Sequence, residues 1–223
     1  TASIEMAKAF KADQRFVVHG KKDGLHVGVD FLGNKFKEYP TSKLNVRKAL
    51  VLAINKEAIV KEILMGLGRT IGNTTCMFSW AIEYKDYPPT PYDPKLAKKL
   101  LAEAGYPKGF PMYIYSFVTY LPEAKVINEA IAGYWEAIGV NTKILDVEYV
   151  AFKPVWMLSK DPIGPSAYTF AWPNRPAYSW KAHFHSSGEF DHGRDPALDK
   201  LIEKWEKERK TLDEYISGAQ KIH

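Results

Sequence analysis

The chain has 223 residues, 46% of them apolar, enough for one large core or two small ones. Its net charge of +5 is spread over helix faces, with no basic block and no aromatic–basic pattern, which argues against a nucleic-acid-binding module. Cys76 is the single cysteine, so an intrachain disulfide, a zinc knuckle and a CxxC redox site are all excluded, and no apolar run is long enough to cross a membrane as a helix.

In chain order, Ser3 to Lys11 reads as a short helix with Ile4, Ala7 and Phe10 inward. Phe16 to His19 and Leu25 to Phe31 read as strands joined through Gly20-Lys21-Lys22-Asp23-Gly24, where Asp-Gly is a hairpin signal. Asn45 reads as the cap of a helix in which Val46, Ala49, Leu50, Ala53 and Ile54 repeat at helical spacing. Asn55 caps a second helix, with Ile54 and Ile59 as a hydrophobic staple, Ile59, Val60, Ile63 and Leu64 inward, and Gly66 as the stop. From Gly66 to Tyr92 there is little regular pattern. A loop of that length in a compact domain is functional or wrapped over a surface; it carries Met77, Phe78, Trp80, Tyr84 and Tyr87.

The stretch from Tyr92 to Phe110 is the most completely specified helix. Asp93 accepts from first-turn amides, Pro94 suits the first helical position, and Gly105 followed by Pro107 ends it. Leu96, Ala97, Leu100, Leu101 and Ala104 fall on one face, with Lys95, Lys98, Lys99 and Glu103 toward water. Met112 to Val118, apolar or aromatic on both faces, reads as a central strand. A helix from about Leu121 turns Ala124, Ile127, Ile131, Tyr134, Trp135 and Ile138 inward and stops at Gly139. Val140 to Val147 is the next strand. Tyr149 to Leu158 has helical character that Pro154 interrupts. Ala167 to Trp172 is a short apolar strand running into Pro173-Asn174-Arg175-Pro176. Asp195-Pro196 opens a helix with Leu198, Leu201, Ile202 and Trp205 inward, and Thr211 with Glu214 forms a capping box for a last one. Alternating strands and helices predict an α/β layered fold. The chain begins at Thr1 without Met and ends at His223 inside what reads as an unfinished helix, so both ends read as cut from a longer protein.

Four segments in order resemble one family. They are Val46-Arg47-Lys48-Ala49-Leu50 with Ala53-Ile54-Asn55-Lys56-Glu57-Ala58-Ile59-Val60 and Gly66; the helix from Tyr92 to Phe110; Tyr134-Trp135 through Ile138-Gly139-Val140 to Val147-Glu148; and Asp195-Pro196-Ala197-Leu198-Asp199-Lys200-Leu201. Together they are similar to the family 5 extracellular solute-binding proteins of ABC transporters, the oligopeptide-, dipeptide- and nickel-binding type, although the family usually has Asp where this chain has Asn55. The resemblance implies a type II periplasmic-binding-protein-like lobe, a mixed sheet with helices on it. It implies that residues 1–223 are a single ligand-binding lobe, the C-terminal part of a longer two-lobed protein. It also implies no catalysis and no cofactor, a periplasmic or extracellular location (with an anchor in a missing N-terminal part as one way of holding it there), and three partners: a small-molecule or peptide solute, the permease subunits and the missing second lobe.

In peptide-binding members a strand ending in Trp leads to an Asp that pairs with the peptide amine. Here Trp172 matches that Trp, but Asn174 and Arg175 stand where the Asp is expected. A neutral amide does not balance a buried ammonium, and Arg favours carboxylates and phosphates. A sugar stacked on Trp172, or an anionic or neutral peptide-like solute, fits at least as well as a free peptide amine, and Trp172 as core with Arg175 solvated is the plain alternative. Trp80, Tyr84 and Tyr178 are further candidates for a cleft wall, against the plainer reading that they pin a loop to its domain. His183 and His185, with Asp191 and His192, form the one metal-like cluster; on a strand the first two would share a face, while the plain reading is exposed loop histidines, and no metal site is assigned. No nucleophile elbow, Walker loop or HExxH is present. A carbohydrate- or peptide-active enzyme domain with aromatic subsites is the alternative function, and an interaction domain without a cleft a third.

Overall fold

Among the described residues, the expected α/β alternation takes the form of one four-stranded mixed sheet with helices against it. The computed structural model describes residues 4–17, 25–32, 36–72, 88–117, 122–152, 164–173, 181, 184–188 and 195–208. The elements are α1 (Ile4–Ala12), β1 (Leu25–Phe31), a 3-10 turn (Pro40–Ser42), α2 (Leu44–Leu52), α3 (Lys56–Ala58, continued by a π-helical turn Ile59–Ile63), α4 (Pro94–Glu103), β2 (Pro111–Ser116), α5 (Ala124–Glu136), β3 (Asn141–Asp146), β4 (Ser166–Pro173) and α6 (Pro196–Glu208). The sheet order is β1-β4-β2-β3. β2 runs parallel to β3 and to β4, and β1 runs antiparallel to β4. β2, α5 and β3 form a βαβ unit, since adjacent parallel strands need a crossover of helical length.

β2 is buried on both faces. Met112 and Ile114 join the main core with Ile127, Ile131 and Trp135 of α5, Val46, Ala49 and Leu50 of α2, and Ala97 and Leu101 of α4. Tyr115 and Phe117, of opposite parity, enter a second cluster with Phe152 and Tyr168. Each fully buried Leu or Ile here contributes roughly 1.5–3 kcal/mol relative to exposure. Trp135 is fully buried, and its indole N–H donates to the Leu50 carbonyl at 2.9 Å, tying α5 to the end of α2.

The α4 signals act as the sequence predicts at both ends. The Leu96 amide donates to Asp93 Oδ1 at 2.8 Å, and Pro94 is the first helical residue. Gly105 takes φ +94°, its amide donating to Ala102 and that of Tyr106 to Leu101, a Schellman stop. Leu96 is the exception on the apolar face, at 40% exposure. α5 ends the same way at Gly139 (φ +96°), with Gly139 donating to Glu136 and Val140 to Trp135. The Asn55 cap is also present, Oδ1 accepting from the Ala58 amide at 2.9 Å.

Two local expectations are corrected. Phe16 and Val17 are not in a strand; a turn carries them past α1, and the Phe16 ring lies 4.8 Å from that of Phe10. β1 pairs with β4 in antiparallel register, and the rest of the expected hairpin, residues 18–24, lies outside the described residues. Asn45 does not cap α2. The 3-10 turn leads directly into the helix, the amides of Val46 and Arg47 both donate to the Lys43 carbonyl, and Asn45 sits exposed in the first turn. The Lys43 side chain instead reaches α4, donating to the Ala104 carbonyl at 2.8 Å, where a cation meets the negative end of the helix. The capping box at Thr211 and Glu214, the loop from Gly20 to Gly24 and Cys76 lie outside the described residues.

Candidate ligand-binding site

Parallel α/β sheets bind ligands beyond the carboxyl ends of their strands, where the loops gather. β2, β3 and β4 all end on one edge of this sheet. β4 reaches furthest. Its pairing with β2 spans Tyr113↔Ser166 to Tyr115↔Tyr168, whereas its pairing with β1 continues to His26↔Trp172 and Leu25↔Pro173. Trp172 therefore stands three residues beyond the level of Ser116, the last residue of β2, about 10 Å further along the strand. β4 ends at Pro173, and Asn174 and Arg175 follow it in sequence.

The backbone of Trp172 is thus at the carboxyl edge. Asn174, Arg175, Tyr178 and Trp80 lie outside the described residues, as do His183, Asp191 and His192.

Behind the edge is a close-set aromatic group. The rings of Tyr115 and Phe117 each lie 4.7 Å from that of Phe152, Phe152 and Tyr168 are 5.6 Å apart, and Phe117 meets Tyr149 edge-on at 6.0 Å. Residues 149–152 form the helical turn that brings Tyr149 and Phe152 there. Tyr168 is fully buried and is the register partner of Asp30. Burial pushes its hydroxyl well above the usual tyrosine range, and the Asp30 carboxylate, through its charge and the hydrogen bond it accepts, pushes further. Tyr168 is therefore a fixed neutral donor to Asp30. Sequence reasoning missed this pair. The signal was an Asp inside the apolar run Leu25 to Phe31, with a Tyr in the run that became its neighbour.

His185 is neither on a strand nor exposed. It ends a helical turn, its amide donating to the Lys181 carbonyl at 3.3 Å, and it is 7% exposed. The Ser187 amide donates to Nδ1 at 3.0 Å, which leaves the neutral ring's proton on Nε2, 3.3 Å from Glu203 Oε1. Ser186 donates to Asp199 Oδ1 at 2.8 Å, and Lys181 pairs with Glu206 at 3.3 Å. Hydrogen bonding from Ser186, first through its side chain and then its backbone, lowers the Asp199 carboxyl below its ordinary value, with His185 a smaller influence. Asp199, Glu203 and Glu206 form a stripe on α6 that receives the segment 184–188 and Lys181. Both ring nitrogens of His185 are thus engaged, and among the described residues no group of three or more His, Cys, Asp or Glu is placed to hold a metal ion.

The family model for the bacterial extracellular solute-binding proteins, family 5 (middle region), matches residues 1–190. The chain belongs to this family. It is similar to the dipeptide-binding protein of Escherichia coli K12, 35% identical over 131 residues that make up 56% of this chain and 24% of that protein. It is also similar to heme-binding protein A of Haemophilus influenzae, 33% identical over 138 residues, 60% of this chain and 24% of the relative. Among solved structures, the dipeptide-binding protein of Pseudoalteromonas sp. SM9913 in complex with Met-Leu superposes with a TM-score of 0.78 at 24% identity, covering 99% of this chain and 44% of that one. NikZ of Campylobacter jejuni in complex with Ni(L-His) gives 0.77 at 22% identity, covering 99% and 46%. The architecture is the type II periplasmic-binding-protein fold expected from the sequence. The matched stretches make up about a quarter of these relatives' sequences, and the chain spans less than half of each solved structure.

Proposed function

We propose that this chain is a ligand-binding lobe of the substrate-binding component of an ABC importer. Family membership supports this reading, and so does the β4 overhang, which carries Trp172 to the sheet edge where such folds take ligand. Residues 1–223 form one lobe of a two-lobed protein, periplasmic or extracellular, and a second lobe completes the cage. Capture is by closure. Solute bound between the lobes stabilises the closed form, which presents itself to the permease subunits. Trp172 supplies an aromatic wall, Asn174 and Arg175 the polar contacts, and Trp80 and Tyr178 further wall.

The solute is peptide-like or another small polar molecule. Relatives named for dipeptide, heme and glutathione binding show how widely ligands vary on this scaffold. The residues after Trp172 narrow the range. Arg175 in place of an acid favours a solute that offers a carboxylate or other anionic group toward this loop. Mass spectrometry of solute co-purifying with the full-length protein tests the reading, followed by calorimetry with the solute found. The expected result is a stoichiometric small anionic or peptide-like solute, with affinity lost on Trp172→Ala. Turnover of that solute, or binding untouched by Trp172→Ala, would overturn it.

A further inference from the structure

Two residues break the apolar pattern of the elements that hold them. Asn128 is fully buried on α5, on the face otherwise formed by Ala124, Ile127, Ile131 and Trp135. Ser116 is fully buried at the end of β2, on the face that carries Met112 and Ile114 into the main core. Native interiors seldom leave such groups without partners, because an unmet buried donor or acceptor costs its full desolvation. Yet among the described residues Asn128 Nδ2 and Ser116 Oγ make no hydrogen bond.

The topology places these two exceptions together. Tyr115 pairs with Tyr168 in parallel register, so the next residues, Ser116 and Thr169, stand level on neighbouring strands about 4.8 Å apart and share a face. Thr169 is itself buried, and its hydroxyl donates to Asn128 Oδ1 at 2.7 Å. Ser116, Thr169 and Asn128 are therefore three corners of one polar spot between sheet and helix, ringed by the apolar core. One contact is made within it, and a donor and a hydroxyl remain.

We propose that this spot is a binding site for a single internal water molecule. The water accepts from Asn128 Nδ2–H and donates one proton to Ser116 Oγ. Its second proton goes to a lone pair of Thr169 Oγ1, whose own proton is committed to Asn128 Oδ1. That gives the water three partners, the usual number for a buried one, and gives Asn128 Nδ2 and Ser116 Oγ one partner each. The water links β2, β4 and α5 just below the level at which β4 runs on alone with β1 toward Trp172. It is a fixed part of the sheet's carboxyl edge rather than of the ligand's own contacts, and does not depend on which solute is bound.

A crystal structure of the full chain, at a resolution that shows ordered solvent, tests the site directly. The expected result is one well-occupied peak within hydrogen-bond distance of Asn128 Nδ2 and Ser116 Oγ. In solution, oxygen-17 relaxation dispersion counts waters held longer than nanoseconds. The wild type is expected to hold one more such water than the variant Ser116→Ala, Asn128→Leu, Thr169→Val. A direct Ser116–Asn128 bond with no peak between them, or equal water counts in the two proteins, would overturn the proposal. Should the triple variant fail to fold, the wild-type electron density decides alone.

Discussion

Gly109 and Gly139 meet backbone to backbone: a Cβ on Gly109 would stand 1.8 Å from the Gly139 carbonyl oxygen and 2.2 Å from its carbonyl carbon. Gly109 also has φ +73°, which side chains rarely adopt. The contact sits where β2 and β3 start side by side, next to the Asn141 amide's bond to the Phe110 carbonyl. Gly109→Ala should therefore cost roughly 3 kcal/mol or more, because backbone rather than a flexible side chain must give way. Gly105→Ala shares the positive φ but meets nothing closer than Lys43 Nζ at 4.0 Å, and should cost only about 1 kcal/mol. Urea denaturation of the two variants measures the difference; equal losses would show that strain in φ, not the close approach, is what Gly109 relieves.

Tyr168 gives a pH signature. Its hydroxyl is raised in the folded chain by burial and by Asp30, so below the unfolded tyrosine's value the stabilising contribution is fully present. As pH rises past about 10, the unfolded chain releases this proton while the folded chain keeps it, and stability falls by about 1.4 kcal/mol per pH unit. Tyr168→Phe should lose about 1 kcal/mol at neutral pH, since Asp30 loses its donor, and should show a shallower decline above pH 10. Denaturation midpoints from pH 8 to 11 for both proteins check this; parallel curves would contradict it.

The His185 network predicts a local effect. His185→Leu removes the acceptor of the Ser187 amide and the link to Glu203. Hydrogen exchange at Ser187 should then quicken by tenfold or so, about the worth of one net hydrogen bond, while the amides of β2 and α5 stay as protected as before. Added zinc should leave the exchange pattern of the wild type unchanged, because both ring nitrogens are already engaged.

Arg175 tests the proposed ligand preference. In the full-length protein, Arg175→Gln should weaken an anionic solute about tenfold or more, the scale of a hydrogen bond to a charged group, and a neutral analogue hardly at all. Titration calorimetry with a solute and its amide or ester analogue reads both. Equal losses for the two would assign Arg175 to scaffold.

What the sequence made legible was whatever is written within a few residues. The α4 helix has its cap, its buried Ala97 and Leu101 and its Schellman glycine inside one short stretch, and all were readable. The end of β4, expected at Trp172 and found at Pro173, was readable to within one residue for the same reason. Asn45 misled because the true start of α2 is set by the preceding 3-10 turn. His185 looked exposed because the acidic stripe that buries it belongs to a helix further along the chain. Asp30 and Tyr168 are unremarkable alone, and only the β1–β4 register makes them a pair.

That same register bears on how the chain acquires its fold. About 140 residues separate β1 from the strand it pairs with, so closing this loop is an entropic cost met before any of its ladder bonds are gained. The β2–α5–β3 unit is local by comparison, and its helix and parallel pair have the contacts to form first, with β4 added next and β1 last. During synthesis β1 emerges early and waits for a partner not yet made. A short strand interrupted by Gly28 and bearing Asp30 is poorly suited to self-pairing, which lowers the risk of aggregation through the interval.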